Sequence, residues 1–145
     1  MRRLSFALVL PLLAACTDST APDVTLSGLW AYTATNLSGS GISCSFTGLT
    51  LTISQMERTF TGTTNGGTVT CFAAGQSFSD VLGTGVIVNG TVNRSAVAFD
   101  FETPDWHHTG KANGASMSGG VTVRLDLGDP YGVLVLTGSW SAARQ

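Results

Sequence analysis

Three cysteines, two adjacent histidines and the carboxylates beside them are the side chains of this 145-residue chain that invite covalent, metal or acid–base chemistry. Both histidines fall in the run Glu102-Thr103-Pro104-Asp105-Trp106-His107-His108. If that run is extended, successive side chains alternate between faces, so His107 and His108 diverge while Asp105 and His107 share a side. Two ligands result, where a structural zinc site needs four and a catalytic one three. An Asp105–His107 pair has the chemistry of a general base, yet nothing singles out one of the many serines as its nucleophile. The chain has no Gly-x-Ser-x-Gly elbow, no phosphate-cradling glycine loop and no His-Glu-x-x-His pair. The expectation is a polar hairpin loop with Trp106 tucked into the core and both histidines solvated, with no catalytic residue, metal or cofactor.

The cysteines divide by position. Arg2 and Arg3 precede an apolar stretch over residues 4–15, too short for the roughly 20 residues of a spanning helix and laid out like an export signal. The stretch ends Leu13-Ala14-Ala15-Cys16, which resembles the lipobox of bacterial lipoproteins at all four positions. The resemblance implies a thiol joined to diacylglycerol, cleavage before Cys16 and acylation of the new N-terminus by palmitate-type chains. Several acyl chains, at about 0.8 kcal/mol per buried CH₂, hold a protein on a membrane where one binds only marginally. Thr17, not Asp, follows the cysteine; in the enterobacterial sorting pattern this implies the outer membrane, on its periplasmic or surface face. The Arg2-Arg3 pair lacks the rest of a twin-arginine signal.

Removing residues 1–15 leaves Arg58, Arg94, Lys111, Arg124 and Arg144 against nine carboxylates, a balance of −4. Nucleic-acid binding needs basic residues clustered on one face, and none are clustered here. With Cys16 lipidated, Cys44 and Cys71 form an even pair in an oxidising compartment, and a disulfide between them is the natural expectation. Closing a loop of about 28 residues would stabilise a small domain by roughly 3 to 4 kcal/mol. Two reduced thiols or a metal-binding pair are the alternatives. Neither cysteine lies in a Cys-x-x-Cys, which argues against redox activity.

These residues must be positioned by β structure. Eighteen glycines, abundant Thr and Ser and only 11% charged residues leave few strong helix formers. Residues 17–25, TDSTAPDVT, read as a flexible tether. The expected organisation is a signal peptide over residues 1–15, the lipidated cysteine and tether over 16–26, and one domain over 27–145. Period-two alternation is clearest at residues 49–54, 97–102 and 121–127, and weaker at 28–35, 59–64, 68–73, 85–92, 106–112 and 133–142. Turn residues separate them at Asn65-Gly66-Gly67, Asn93-Arg94-Ser95, Asn113-Gly114 and residues 128–132. Asn36, Asn89 and Asn93 match glycosylation sequons but read as turn asparagines in an exported bacterial chain. About nine short antiparallel strands in a meander predict an up-and-down barrel, which removes its own edges, with a β-sandwich as the alternative.

The opening Leu26-Ser27-Gly28-Leu29-Trp30 looks like the Gly-x-Trp start of calycins, the lipocalin and avidin-like barrels, and Thr137-Gly138-Ser139-Trp140 repeats that shape. The resemblance implies that Trp30 plugs one end of a barrel under a late arginine, Arg144 first and Arg124 second. Two functions then stand: a structural or interaction module of the envelope with an envelope protein as partner, or a barrel holding a small apolar ligand. For the ligand, Trp30, Phe99, Phe101 and Trp106 are the candidate wall. An enzyme is not expected. A lumen packed with Leu, Val and Phe would argue against a ligand.

Overall fold

A computed structural model of the chain describes residues 24–102, 105–126 and 132–145. The signal segment, Cys16, nearly all of the tether and residues 128–131 of the last turn lie outside the described residues. Alternation of inward apolar and outward Thr, Ser and charged side chains carries nine strands: β1 (Gly28–Gly39), β2 (Ile42–Met56), β3 (Thr59–Ala73), β4 (Gln76–Val81), β5 (Gly85–Asn93), β6 (Ala96–Phe101), β7 (Asp105–Ala112), β8 (Ser116–Asp126) and β9 (Val133–Arg144). All pairings are antiparallel. β9 returns to β1 and β5 pairs with β3, so eight strands close into a barrel while β4 hangs from β3 alone. The barrel, not the sandwich, is the architecture. Every strand in it lies within the described residues, so the sheet closes without any residue before Val24.

The strands divide differently from the sequence pattern at one place. Asn65-Gly66-Gly67, expected as a turn, lies inside a single continuous β3. Gly66 and Gly67 take φ of 71° and 92°, and Gly48 on the paired β2 takes 72°, so the two strands bend together and neither reverses. Below the bend Thr59–Thr64 pairs with β5; above it Thr68–Ala73 pairs with β4. β4 itself was not expected, because all six of its residues are exposed and it has no buried face to produce alternation. Asn36 and Asn89 are likewise not in turns. They sit within β1 and β5 at φ of 56° and 54°, beside register shifts, as bulge residues in the left-handed conformation Asn tolerates.

Inside, Trp30, Tyr32, Leu37, Leu51, Ile87, Phe99, Met117 and Leu136 are among the fully buried side chains of one continuous core. Glycine makes room for the largest. Gly110 and Gly119 face each other across β7 and β8, and the Trp140 ring passes so close that a Cβ on Gly110 would stand 3.0 Å from it. Trp140 Nε1 donates to the Thr109 carbonyl at 3.1 Å.

One end of the barrel is sewn shut. Trp30 Nε1 donates to the Leu26 carbonyl at 2.8 Å, and Gln55 accepts from the Leu26 amide at 2.6 Å. Arg144 lies over the Trp30 ring at 4.5 Å and donates to the carbonyls of Gly114, Ser27 and Thr25. Arg144, not Arg124, is therefore the arginine on the first-strand tryptophan. This base gathers the β2–β3, β5–β6 and β7–β8 turns, the start of the described chain and its C-terminus. At the other end, the mouth, β4 forms a lip.

Candidate functional site: the mouth of the barrel and its buried histidine

The mouth holds an apolar cup of about 300 Å³, bounded by Phe46, Val69, Phe78, Leu82, Trp106 and Leu136, with the Cys44–Cys71 disulfide on its wall and Asp80 at its rim. Strand pairing sets Cys44 directly opposite Cys71, with Cα atoms 4.0 Å apart, and the bond pins β2 to the part of β3 that carries the lip. Phe78 and Asp80 project from β4 on the same face as Cys71 and Val69, their register partners. A smaller cavity of about 70 Å³ adjoins, bounded by Thr64, Thr84, Phe101 and Trp106 among others. Trp106 borders both. It is 2% exposed, meets Phe46 edge-on at 4.3 Å, and its indole N–H has no hydrogen-bond partner among the described residues.

Below the cup the lumen is filled. Of the four residues expected to line a ligand site, only Trp106 borders the cup and Phe101 the smaller cavity. Phe99 stacks on His108 at the barrel centre and Trp30 lies in the plug at the base.

His108 corrects the expectation that both histidines are solvated. It is fully buried, stacks on Phe99 at 4.3 Å and meets Trp140 edge-on at 5.6 Å. The reason is strand periodicity: residues 105–112 form one strand, as the alternation over 106–112 predicts, so once Trp106 points inward His108 must follow. Its Nε2 lies 2.8 Å from the Tyr32 hydroxyl, and among the described residues no acceptor meets Nδ1 in full hydrogen-bond geometry, although the backbones of Phe99 and Trp106 act on the ring. Burial pushes His108 down to about 3 and pushes the Tyr32 phenol far above its ordinary value, so both are neutral at physiological pH.

His107 points outward, and its partner is Asp100 on β6, not Asp105. Nδ1 and Oδ1 stand 2.6 Å apart, and Asn89 Nδ2 donates to the other carboxylate oxygen at 2.8 Å. Partial burial pulls Asp100 upward, but the hydrogen bonds from Asn89 and His107 outweigh it and hold the carboxyl below its ordinary range. Sequence alone could not show this trio, since the bulge at Asn89 is what brings its amide to β6. Among the described residues no three His, Cys, Asp or Glu side chains come together as a metal site. No helix among them is long and apolar enough to cross a membrane.

The arrangement can receive an apolar group of modest size, offer it one indole donor and set a carboxylate at its rim. Comparison with protein-family models, curated proteins and solved structures yields no match to this chain.

Proposed function

We propose that this protein is a lipoprotein of the bacterial envelope, held through Cys16 at the outer membrane, whose calycin-like barrel is a recognition module and not a catalyst. The observation that carries the reading is polarity. The first described residues, Val24 and those up to Leu26, lie at the plugged base, while the apolar cup opens at the opposite end. A purely structural plug has no need of such a cup, and a cup bordered by a buried N–H without an acceptor suits a partner that brings both apolar surface and an acceptor.

The first reading is an interaction module that takes an apolar group of an envelope protein into the cup. Two measurements test it. Intact mass of the protein extracted from cells should show acyl chains on Cys16, lost in Cys16→Ser. A photo-crosslinker placed at Phe78 should join one discrete envelope protein, and cup-filling Val69→Trp should abolish that product while the protein stays folded. Crosslinking that ignores Val69→Trp would sink the interaction reading.

A second reading, a small apolar ligand, draws on the same cup, whose volume stands at the lower end of small-molecule sites. Native mass spectrometry of the chain purified from residue 17 onward should then reveal a co-purified molecule that Val69→Trp excludes. A bare mass and no thermal shift across a lipid panel would refute it.

A further inference from the structure

Charge divides along the barrel axis. Among the described residues the base carries Arg58, Arg94, Lys111 and Arg144 against Glu57, a balance of +3. Among the described residues the mouth half carries Asp80, Asp100, Glu102, Asp105 and Asp126 against Arg124, a balance of −4. Three of the basic residues sit at or beside turns, the parts of the base that protrude most: Arg58 between β2 and β3, Arg94 between β5 and β6, and Lys111 one residue before the end of β7. The same base exposes Met56 to 78% and Leu29 to 48%. Unbranched or branched aliphatic tips among cations are the composition of surfaces that settle into the headgroup layer of a membrane.

Distance favours the same face. Seven residues separate Cys16 from Val24, and the eight steps between the two reach at most about 29 Å when fully extended. The twelve residues of β9, tilted as in an eight-stranded barrel, raise the mouth roughly 30 Å above the base. A tether that starts at the base therefore keeps the base, and not the acidic mouth, next to an anchoring bilayer.

We propose that the base of the barrel is a membrane seat, in which Arg58, Arg94 and Lys111 meet anionic phospholipid headgroups while Met56 enters the interfacial layer, so that the barrel stands with its mouth outward. The inference rests on Cys16 being the anchor but concerns a different surface. Asp18 and Asp23 of the tether oppose the basic residues, so the seat orients a protein that the lipid retains and is a weak membrane binder by itself.

The test uses the full lipidated chain in vesicles of equal parts phosphatidylcholine and phosphatidylglycerol, and in phosphatidylcholine alone. A fluorophore on Met56→Cys should be quenched strongly by lipid-borne nitroxides, and one on Val81→Cys at the lip should not. The contrast should shrink in phosphatidylcholine alone, at high salt, and in Arg58→Gln/Arg94→Gln/Lys111→Gln. The unlipidated chain from Thr17 should sediment weakly with the anionic vesicles, and each neutralisation should lower its partition roughly five-fold. Equal quenching at the two sites, or quenching indifferent to lipid charge and salt, overturns the seat. Salt dependence of the wild-type chain keeps the test decisive should the triple variant misfold. An unmodified Cys16 in cells would overturn the anchor and leave the sedimentation result readable in its own right.

Discussion

The Tyr32 hydroxyl and His108 Nε2 meet at 2.8 Å in the centre of the barrel, an isolated polar contact among Phe99, Phe101 and Trp140.

Acid should destabilise the protein through His108. Its pKa falls from 6.5 to about 3 on folding, so between those values the unfolded chain binds a proton that the folded chain does not. Stability is full above about pH 6.5 and declines as pH drops, by about 2 to 3 kcal/mol at pH 4.5. Urea denaturation at pH 7 and 4.5 measures the slope, and His108→Leu should flatten it. Identical slopes in the two proteins would remove His108 as the cause.

The pair should also show non-additive energetics. Tyr32→Phe leaves His108 without its hydrogen bond and should cost about 1 to 3 kcal/mol. In the Tyr32→Phe/His108→Leu double variant both polar groups are gone, so the loss should be smaller than the sum of the single losses. Additivity in the cycle would show that the contact contributes nothing.

Reduction of Cys44–Cys71 should lower stability by roughly 3 to 4 kcal/mol, because the bond closes a loop with a sequence separation of 27. Thermal unfolding with and without reductant, compared with Cys44→Ala/Cys71→Ala, reads this directly. The double variant should be insensitive to reductant, and its crosslinking through the cup should weaken, since the disulfide forms part of the cup wall.

Arg144→Ala should loosen the base, at a cost of about 2 kcal/mol from the loss of charge-assisted bonds and the ring contact. Arg144→Lys keeps the charge but not the fork that reaches three carbonyls, so it should recover less than half. Denaturation curves and hydrogen exchange at the Leu26 and Ser27 amides would report the change. Full recovery by lysine would mean that charge alone holds the plug.

Much of this fold was legible in the chain because burial on one face writes itself as alternation. Leu49, Leu51 and Ile53 face the core just as their spacing requires, and so do Val97, Phe99 and Phe101. What was hidden follows the same logic in reverse: β4 has no buried face and left no pattern. Gly66 and Gly67 bend a strand in words usually spelled for a turn, and the outcome depended on β2 bending alongside at Gly48. The pairing of Cys44 with Cys71 could be inferred from number and compartment. His108 was within reach of the same reasoning, since a strand over 106–112 with Trp106 inward forces it inward too, but the polar run over residues 102–108 also spells a solvated hairpin loop. The cup was not within reach, because its border gathers side chains from six strands.

Strand β3 has three partners, β2 along its whole length, β5 on its lower half and β4 on its upper half. Because β5 closes the ring on its lower half alone while β2 holds its upper half in place, β4 and the turn before it can lengthen, shorten or change side chains without unzipping the wall. The barrel thus separates a fixed cylinder from an adjustable brim, and diversification of what the mouth admits should concentrate in residues 74–82, beyond the part of β3 that β2 and the disulfide hold, where the scaffold bears the least penalty for novelty.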